Sequence, residues 1–162
     1  ETSLAKIIKE SYPEAEILMG TSTAGIAHAA ICAHILDMPM GYVRSGAKDH
    51  GRENKIEGKL EAGQKVVVVE DLISTGGSVI EVVETLRQAG AEVLGIVSIF
   101  TYKMKKGLER LNAANVKNIS LTDFDCVVKT AAETGYIKEE DEKRLLAFRD
   151  NPGDESWIGG GR

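Results

Sequence analysis

The sequence predicts an α/β fold, a doubly wound and mainly parallel sheet flanked by helices. Segments with strand character alternate with segments of helical periodicity, and the strands are almost continuously apolar. The clearest strand is the run of four valines at residues 66–69. A strand that is apolar at every position is buried on both faces, which is typical of a parallel sheet covered by helices on each side.

Five strands are predicted from short apolar runs that end in turns or polar loops. They cover residues 17–19, 40–43, 65–69, 92–101 and 116–121. Helices are predicted where apolar residues recur at intervals of three and four. They cover residues 4–11, 26–36, 76–89, 103–114, 126–134 and 139–150. Gly90 follows the third helix at the position where glycine commonly ends one.

Composition narrows the class of protein. A length of 162 residues suits one domain, which we expect to cover residues 1–158, with the glycine-rich residues 159–162 as a flexible tail. The net charge of −5 argues against nucleic acid or an anionic membrane as partner. Cys32 and Cys126 lack metal-ligand spacing, so we interpret both as small core residues and expect a cytoplasmic protein.

An acidic and hydroxyl-rich connection follows the valine strand. Glu70 and Asp71 stand where that strand is predicted to end, and the turn Ser-Thr-Gly-Gly-Ser at residues 74–78 leads into a helix. Backbone N–H groups of such a turn, backed by a helix N-terminus, bind phosphate. Carboxylates repel phosphate, so the pair indicates a ligand that carries hydroxyls or a metal beside its phosphate. The pattern favours a sugar phosphate.

Other interpretations of this connection remain open. The carboxylates are alternatively helix-cap or surface acids, although adjacent residues do not flank a bond as a glycosidase pair does. The turn is alternatively an N-cap, which uses the same N–H groups as phosphate binding, so both roles are compatible. It contains no Walker lysine, which argues against a nucleotide triphosphatase.

Two further polar loops are predicted at the same edge, because ligands of open α/β sheets bind at the carboxyl ends of the strands. Residues 20–25 are small and hydroxyl-bearing, and serve equally well as a structural turn or a ligand loop. Residues 44–60 have no period and carry Arg44, Lys48 and His50. We expect them to form a mobile catalytic flap over an anionic ligand, the alternative being solvated surface charges.

These motifs resemble those of a known family. Residues 66–78 resemble the phosphoribosyl-pyrophosphate-binding signature of type I phosphoribosyltransferases. Residues 42–51 and 56–58 resemble the catalytic flap of the orotate phosphoribosyltransferases, and residues 20–30 and 95–102 resemble the bacterial form of those enzymes.

The resemblance implies transfer of ribose 5-phosphate from phosphoribosyl pyrophosphate to orotate, which gives orotidine 5′-monophosphate and pyrophosphate in UMP biosynthesis. It also implies Mg²⁺, held mainly through the substrate near Glu70 and Asp71, and a homodimer whose flap is shared across the interface. The implied catalytic residues are Arg44, Lys48 and His50. The implied phosphoribosyl-pyrophosphate-binding residues are Thr21, Ser22, Thr23, Ala24, Glu70, Asp71, Leu72, Ile73, Ser74, Thr75, Gly76, Gly77 and Ser78.

By analogy, Glu70 and Asp71 hold the ribose hydroxyls, residues 74–78 cradle the 5′-phosphate, and residues 21–24 face the pyrophosphate. Ser74 is also the implied orotate contact. No nucleic acid or membrane partner is implied.

Three departures from the family pattern shape our expectations. Ser45 replaces a second flap cation, and Tyr102 replaces an orotate-binding arginine. Nothing in the chain matches the family's N-terminal hood, so we expect this polypeptide alone to bind phosphoribosyl pyrophosphate but to turn over orotate poorly. Three alternatives stay open: a phosphoribosyltransferase for another base, a non-catalytic regulator that senses phosphoribosyl pyrophosphate, and a structural subunit that binds sugar phosphate.

Overall fold

The structure is a computed structural model that describes residues 1–44 and 55–158. Its strands are β1 (Ile17–Thr21), β2 (Met40–Val43), β3 (Ile56–Glu57), β4 (Lys65–Ile73), β5 (Glu92–Thr101) and β6 (Asn118–Asp123). Its α-helices are α1 (Thr2–Ser11), α2 (Ala24–Leu36), α3 (Gly77–Gln88), α4 (Lys105–Ala113), α5 (Phe124–Glu133) and α6 (Glu139–Asp150), followed by a short 3₁₀ helix (Glu155–Ile158).

The strands form one sheet in the order β3-β2-β1-β4-β5-β6. Strands β1, β2, β4, β5 and β6 are parallel, and only β3 is antiparallel to its neighbour. The predicted fold class, a doubly wound and mainly parallel sheet, is confirmed. Every predicted strand and helix is present, with shifts of a few residues at the ends.

Two hydrophobic cores cover the two faces of the sheet. Successive side chains of a strand point to opposite faces, so the valine run of β4 serves both. Val66 and Val68 pack in one core with α3, whereas Val67 and Val69 pack in the other with α1 and α2. All four are fully buried. This double burial fixes β4 at the centre of the molecule and so fixes the connection that leaves it.

Strand β4 is longer than its apolar run predicts. It continues through Glu70 to Ile73, because β5 still pairs with it there, opposite Ser98 and Thr101 respectively. Strand β1, on the other side, stops pairing at Val69. The prediction that β4 ends at Val69 is therefore wrong. Glu70 and Asp71 lie on an extension of the strand that is hydrogen-bonded on one side only.

Three smaller predictions are corrected near the ends of elements. Strand β6 begins two residues later than the predicted range of 116–121 and extends two residues beyond it, through Thr122 and Asp123. The Asp123 carboxylate accepts a hydrogen bond from Cys126 N (2.9 Å) and so caps α5. Cys32 is buried as predicted, but Cys126 is exposed, because it lies in the first turn of α5. In the described segments, no helix combines the length and apolar character needed to cross a bilayer.

Candidate active site

The carboxyl ends of β1, β2 and β4 meet at one edge of the sheet. Ser22 N donates a hydrogen bond to Val43 O (3.2 Å), which joins the end of β1 to the end of β2. Thr21 Oγ1 donates to Glu70 Oε1 (2.5 Å), which joins the end of β1 to the extension of β4. The predicted convergence of the three polar loops is seen for their described residues. Lys48 and His50 lie outside the described residues.

Glu70 is the most strongly perturbed carboxyl group of this edge. Its residue is only 5% exposed. Burial, followed by the neighbouring Asp71 side chain, raises the pKa of Glu70 to about 7, against hydrogen bonds from Thr21 and from Asp71 N that favour its ionised form. Without a ligand, this carboxyl group is therefore poised to change its charge near neutral pH. Perturbed groups of this kind cluster at functional sites.

The rest of the β4 extension divides into exposed and buried positions. Asp71 is half-buried and its backbone N–H donates to Glu70 Oε1 (3.0 Å). Leu72 is 41% exposed, whereas Ile73 is 2% exposed and packs in the core with α3. Of these two apolar residues predicted to bind substrate, Ile73 has no side-chain surface to offer a ligand, so only its backbone is a candidate.

The turn between β4 and α3 leaves the start of the helix without a side-chain cap. Gly76 is the N-cap residue in a left-handed conformation (φ +73°), which favours glycine, and no side chain accepts a hydrogen bond there. The alternative interpretation, that a side chain of residues 74–78 caps this helix, is therefore wrong. The first N–H groups of a helix have no partner within the helix, so these groups are suited to an anion such as phosphate.

The turn between β1 and α2 is built by close backbone packing. A methyl group on Gly25 would lie 2.6 Å from Val69 O and would also press on the Thr21 hydroxyl. Glycine at this position lets the first turn of α2 approach the central strands closely. As at α3, the N-cap residue, Thr23, makes no side-chain cap hydrogen bond. The positive end of the α2 dipole thus lies at the same edge as that of α3.

The described part of the flap lies next to β2. Arg44 N donates to Lys55 O (2.8 Å), and Arg44 Nη1 donates to Glu57 Oε1 (2.7 Å). The expectation that residues 44–60 contain no regular structure is wrong for residues 56–57, which form β3. A strand of two residues is too short to produce a periodic pattern, so sequence analysis does not detect it.

Tyr102 occupies the position where the family resemblance implies an arginine. Its backbone N–H donates to Ile73 O (2.9 Å), and its ring lies 5.0 Å from that of Phe100 and 5.3 Å from that of Phe124. Phe148 and Trp157 continue this row of rings into α6 and the last helix. The ring of Tyr102 thus anchors the C-terminal helices to β5, which is a packing role rather than the ion-pairing role of an arginine.

Two features of the site were missed by sequence analysis. One is the hydrogen bond between Thr21 and Glu70, which pairs two residues 49 positions apart that were assigned to different parts of the ligand. The other is Arg110 on α4, whose guanidinium donates to Thr75 O (2.9 Å). The sequence shows Arg110 only as one cation among several in a charged helix, so no local signal distinguishes it.

Comparison with known proteins identifies the family. The sequence profile of the phosphoribosyl transferase domain matches residues 2–133. An orotate phosphoribosyltransferase of Bacillus cereus strain G9842 is 59% identical over 155 residues, which cover 96% of this chain and 74% of the relative. The chain belongs to the orotate phosphoribosyltransferases. It is a pentosyltransferase of pyrimidine biosynthesis, as the resemblance in the sequence implied.

Solved structures of relatives have the same fold. The orotate phosphoribosyltransferase of Aeropyrum pernix superposes with a TM-score of 0.70 at 26% identity, over 84% of this chain and 76% of that one. The UMP synthase of Leishmania donovani superposes with a TM-score of 0.74 at 24% identity, over 91% of this chain and 32% of that one. The fold of this chain is therefore shared with proteins whose sequences differ widely from its own.

Proposed function

We propose that the edge formed by β1, β2 and β4 is where this chain transfers ribose 5-phosphate from phosphoribosyl pyrophosphate to orotate. One observation carries the assignment: two carboxylates stand on the strand that leads to an uncapped helix N-terminus, and one of them, Glu70, accepts a hydrogen bond from the Thr21 hydroxyl at the end of β1. This arrangement offers acceptors for sugar hydroxyls and donors for phosphate within one continuous segment, as an activated sugar phosphate requires.

The β4–α3 connection is proposed to hold the ribose 5-phosphate. The carboxylates of Glu70 and Asp71 accept hydrogen bonds from the ribose hydroxyls, because ionised carboxylates are acceptors only. Residues 74–78 then receive the 5′-phosphate on their N–H groups. Ser74, the first residue of the turn, is the proposed orotate contact. Glu70 accepts best when ionised, so binding is expected to strengthen as pH rises through its pKa of about 7.

The β1–α2 connection and the flap are proposed to hold the pyrophosphate. Negative charge grows on pyrophosphate as the anomeric bond breaks, and preorganised donors and cations stabilise that charge. Thr21, the following residues 22–24 and the N-terminus of α2 supply the donors. Arg44 supplies a cation together with Lys48 and His50 of the flap. The partly exposed pair that Arg44 forms with Glu57 contributes about 0–1 kcal/mol, so it opposes release of Arg44 only weakly.

Glu70 and Asp71 suit a magnesium ion whose remaining ligands come from the substrate. Across residues 1–44 and 55–158, no cluster of three or more histidine, cysteine or acidic side chains is arranged to hold a metal ion. Mg²⁺ commonly binds through one or two carboxylates together with substrate phosphates, and Glu70 and Asp71 are the carboxylates available for this. The bound ion would neutralise charge on the leaving pyrophosphate.

A homodimer with a shared flap is the proposed assembly, in the cytoplasm. Helix α2 is apolar nearly all round, yet Ile31 and Ile35 are each 46% exposed in the isolated chain. Mixing inactive Arg44→Ala and Asp71→Asn proteins tests the shared flap, since mixed dimers rebuild one intact site. Recovery of activity on mixing supports sharing, and no recovery in demonstrated mixed dimers contradicts it. The two unpaired thiols, Cys32 and Cys126, are consistent with a reducing compartment.

The assay that tests the proposed reaction compares orotate, uracil and hypoxanthine side by side with phosphoribosyl pyrophosphate and Mg²⁺. Formation of orotidine 5′-monophosphate, with the other bases unused, is the expected result. Consumption of uracil or hypoxanthine instead would indicate an enzyme for another base. Binding of phosphoribosyl pyrophosphate, measured separately by calorimetry, with none of the three bases consumed would favour the sensing regulator.

A further inference from the structure

We propose that Arg110 of α4 is a positioning residue that holds the phosphate-binding turn in its ligand-ready conformation. Its guanidinium holds the carbonyl of Thr75 on the α4 side of the turn, so that the following N–H group faces the opposite side. The inference rests on the proposed function of residues 74–78, which is to bind the 5′-phosphate. Arg110 would support these residues from α4, which lies outside the proposed substrate-binding segments.

Helix α4 contacts two successive carbonyl groups of the turn, those of Ser74 and Thr75. Arg110 Nη1 donates to Thr75 O (2.9 Å) and lies 3.4 Å from Thr75 Oγ1. One turn earlier in α4, Gly107 lies against the preceding carbonyl, since a methyl group there would be 2.5 Å from Ser74 O. The carbonyls of Ser74 and Thr75 therefore both face α4, one against a glycine and the other on a charged donor.

The geometry of the peptide bond means that fixing the carbonyls of Ser74 and Thr75 also fixes the directions of the next N–H groups. In a planar trans peptide, the N–H points away from the carbonyl of the same unit. The N–H groups of Thr75 and Gly76 are thereby directed away from α4. Among the hydrogen bonds between described residues, neither of these two groups donates to another backbone group. Two successive N–H groups directed to one side form the kind of concavity that binds anions.

The charge of the guanidinium adds to this effect. The guanidinium is a charged donor, and a charged donor makes a stronger hydrogen bond than a neutral one. A hydrogen bond to a carbonyl also polarises the peptide unit, which strengthens the N–H at its other end as a donor. The N–H of Gly76 is the one strengthened by the contact between Arg110 and Thr75.

The chain offers a matched control in Arg87 of α3. Its Nη1 donates to Ala114 O (2.6 Å) and its Nη2 to Asn115 O (3.2 Å), so it also joins α3 and α4 through backbone carbonyls. It does so at the C-terminal ends of the two helices, away from the turn. Replacing Arg87 therefore removes a comparable interhelical contact without touching the proposed phosphate cradle.

The experiment compares Arg110→Met with Arg87→Met in the full chain. Binding of ribose 5-phosphate and of pyrophosphate is measured by calorimetry, KM for phosphoribosyl pyrophosphate and kcat by assay, and the thermal midpoint by calorimetry. Arg110→Met is expected to weaken ribose 5-phosphate binding and raise that KM by about tenfold, as for loss of one hydrogen bond from a charged donor. Pyrophosphate binding is expected to stay within about twofold, since the β1–α2 connection is untouched.

Several outcomes decide the proposal. An Arg110→Met protein that binds ribose 5-phosphate as tightly as the unmodified chain overturns the proposal. An Arg87→Met protein whose affinity for ribose 5-phosphate falls equally also overturns it, because that result would indicate general loosening of α3 against α4. Should Arg110→Met fail to fold, Arg110→Lys carries the test, with about threefold weaker ribose 5-phosphate binding expected from a single-point donor and unchanged binding contradictory. If the unmodified chain binds neither phosphoribosyl pyrophosphate nor ribose 5-phosphate, the proposed function itself fails.

Discussion

The two strand–turn–helix connections at the active edge are built on the same plan but are held in different ways. Both follow central parallel strands, and both present an uncapped helix N-terminus. The β1–α2 connection is held from within, because Gly25 packs against Val69 O and the Thr21 hydroxyl. The β4–α3 connection is held from outside, by Gly107 and Arg110 of α4. An anion site can thus be supported either by the sheet or by a neighbouring helix.

The two connections also differ in charge. The β1–α2 connection contributes hydroxyl and N–H groups, whereas the β4–α3 connection contributes the carboxylates of Glu70 and Asp71. The short hydrogen bond from Thr21 to Glu70 joins them. This difference in charge matches a division of the substrate between the two connections. The β1–α2 connection, with its hydroxyl and N–H donors, suits pyrophosphate, whereas the β4–α3 connection, with both carboxylates and N–H donors, suits a sugar phosphate. Substitutions in each connection test that division.

Replacing Asp71 by asparagine is expected to have the largest effect. The substitution keeps the size of the side chain but removes a charge next to the ribose hydroxyls and the proposed Mg²⁺. We expect the rate of orotidine 5′-monophosphate formation to fall about 10³-fold, the range seen when one preorganised electrostatic group is lost.

Asp37→Asn is the control for that substitution. Asp37 lies in a left-handed conformation after α2, which asparagine also adopts readily, so its activity is expected to stay unchanged. An Asp71→Asn protein that retains most of its activity would place the reacting centre elsewhere.

Replacing Gly25 by alanine tests the support from within. Alanine normally favours a helix over glycine, but here its methyl group would meet Val69 O at 2.6 Å. We expect a loss of about 2–3 kcal/mol in the free energy of unfolding, measured with urea, together with weaker pyrophosphate binding. Gly153→Ala is the control, since a methyl group there meets its first neighbour at 3.8 Å. A Gly25→Ala protein as stable as the control would contradict the close packing.

Replacing Glu70 by glutamine tests whether burial in the β4 extension raises the pKa of the Glu70 carboxyl group. Burial raises the pKa of Glu70 from an ordinary 4.5 to about 7, so folding favours its neutral form. The stability linked to that form is complete below pH 4.5 and is lost as pH rises through about 7.

Glutamine does not titrate, so the variant should gain about 3 kcal/mol over the unmodified chain at pH 8, and about 0 at pH 4. Urea unfolding at a series of pH values measures this difference. A difference that stays constant across the series would show that Glu70 titrates normally.

Replacing Thr21 by valine is expected to have the smallest effect, because it removes only the hydrogen bonds of one hydroxyl, a short one to Glu70 and a long one to Val69 O (3.4 Å). A lost hydrogen bond of this kind costs about 1 kcal/mol in the free energy of unfolding. Because Thr21 favours the ionised form of Glu70, its loss should move the pH midpoint of phosphoribosyl pyrophosphate binding upward. Thr85→Val, which removes a hydroxyl that bonds only within α3, should leave that midpoint unchanged. Equal midpoints in the two variants would contradict the coupling.

Most of the fold could be predicted from the sequence, and the segments of the proposed site were chosen from the sequence as well. The valine run of β4 and the periodicity of α3 are local signals, so they identified the central strand, its helix and the intervening turn. The pairing of Glu70 with Ser98 of β5 was not visible, because it depends on how far a neighbouring strand extends. The contacts of Thr21 with Glu70 and of Arg110 with Thr75 join positions 49 and 35 residues apart. Such contacts follow from tertiary packing and leave no pattern in either segment alone.

The central claim is that the two connections divide the substrate between them. Backbone amide resonances of the isotopically labelled chain, titrated separately with ribose 5-phosphate and with pyrophosphate, test this most directly. We predict that ribose 5-phosphate shifts the resonances of Thr75 and Gly76, whereas pyrophosphate shifts those of residues 22–24. Ribose 5-phosphate that perturbs residues 22–24 and leaves Thr75 and Gly76 unchanged would contradict the account.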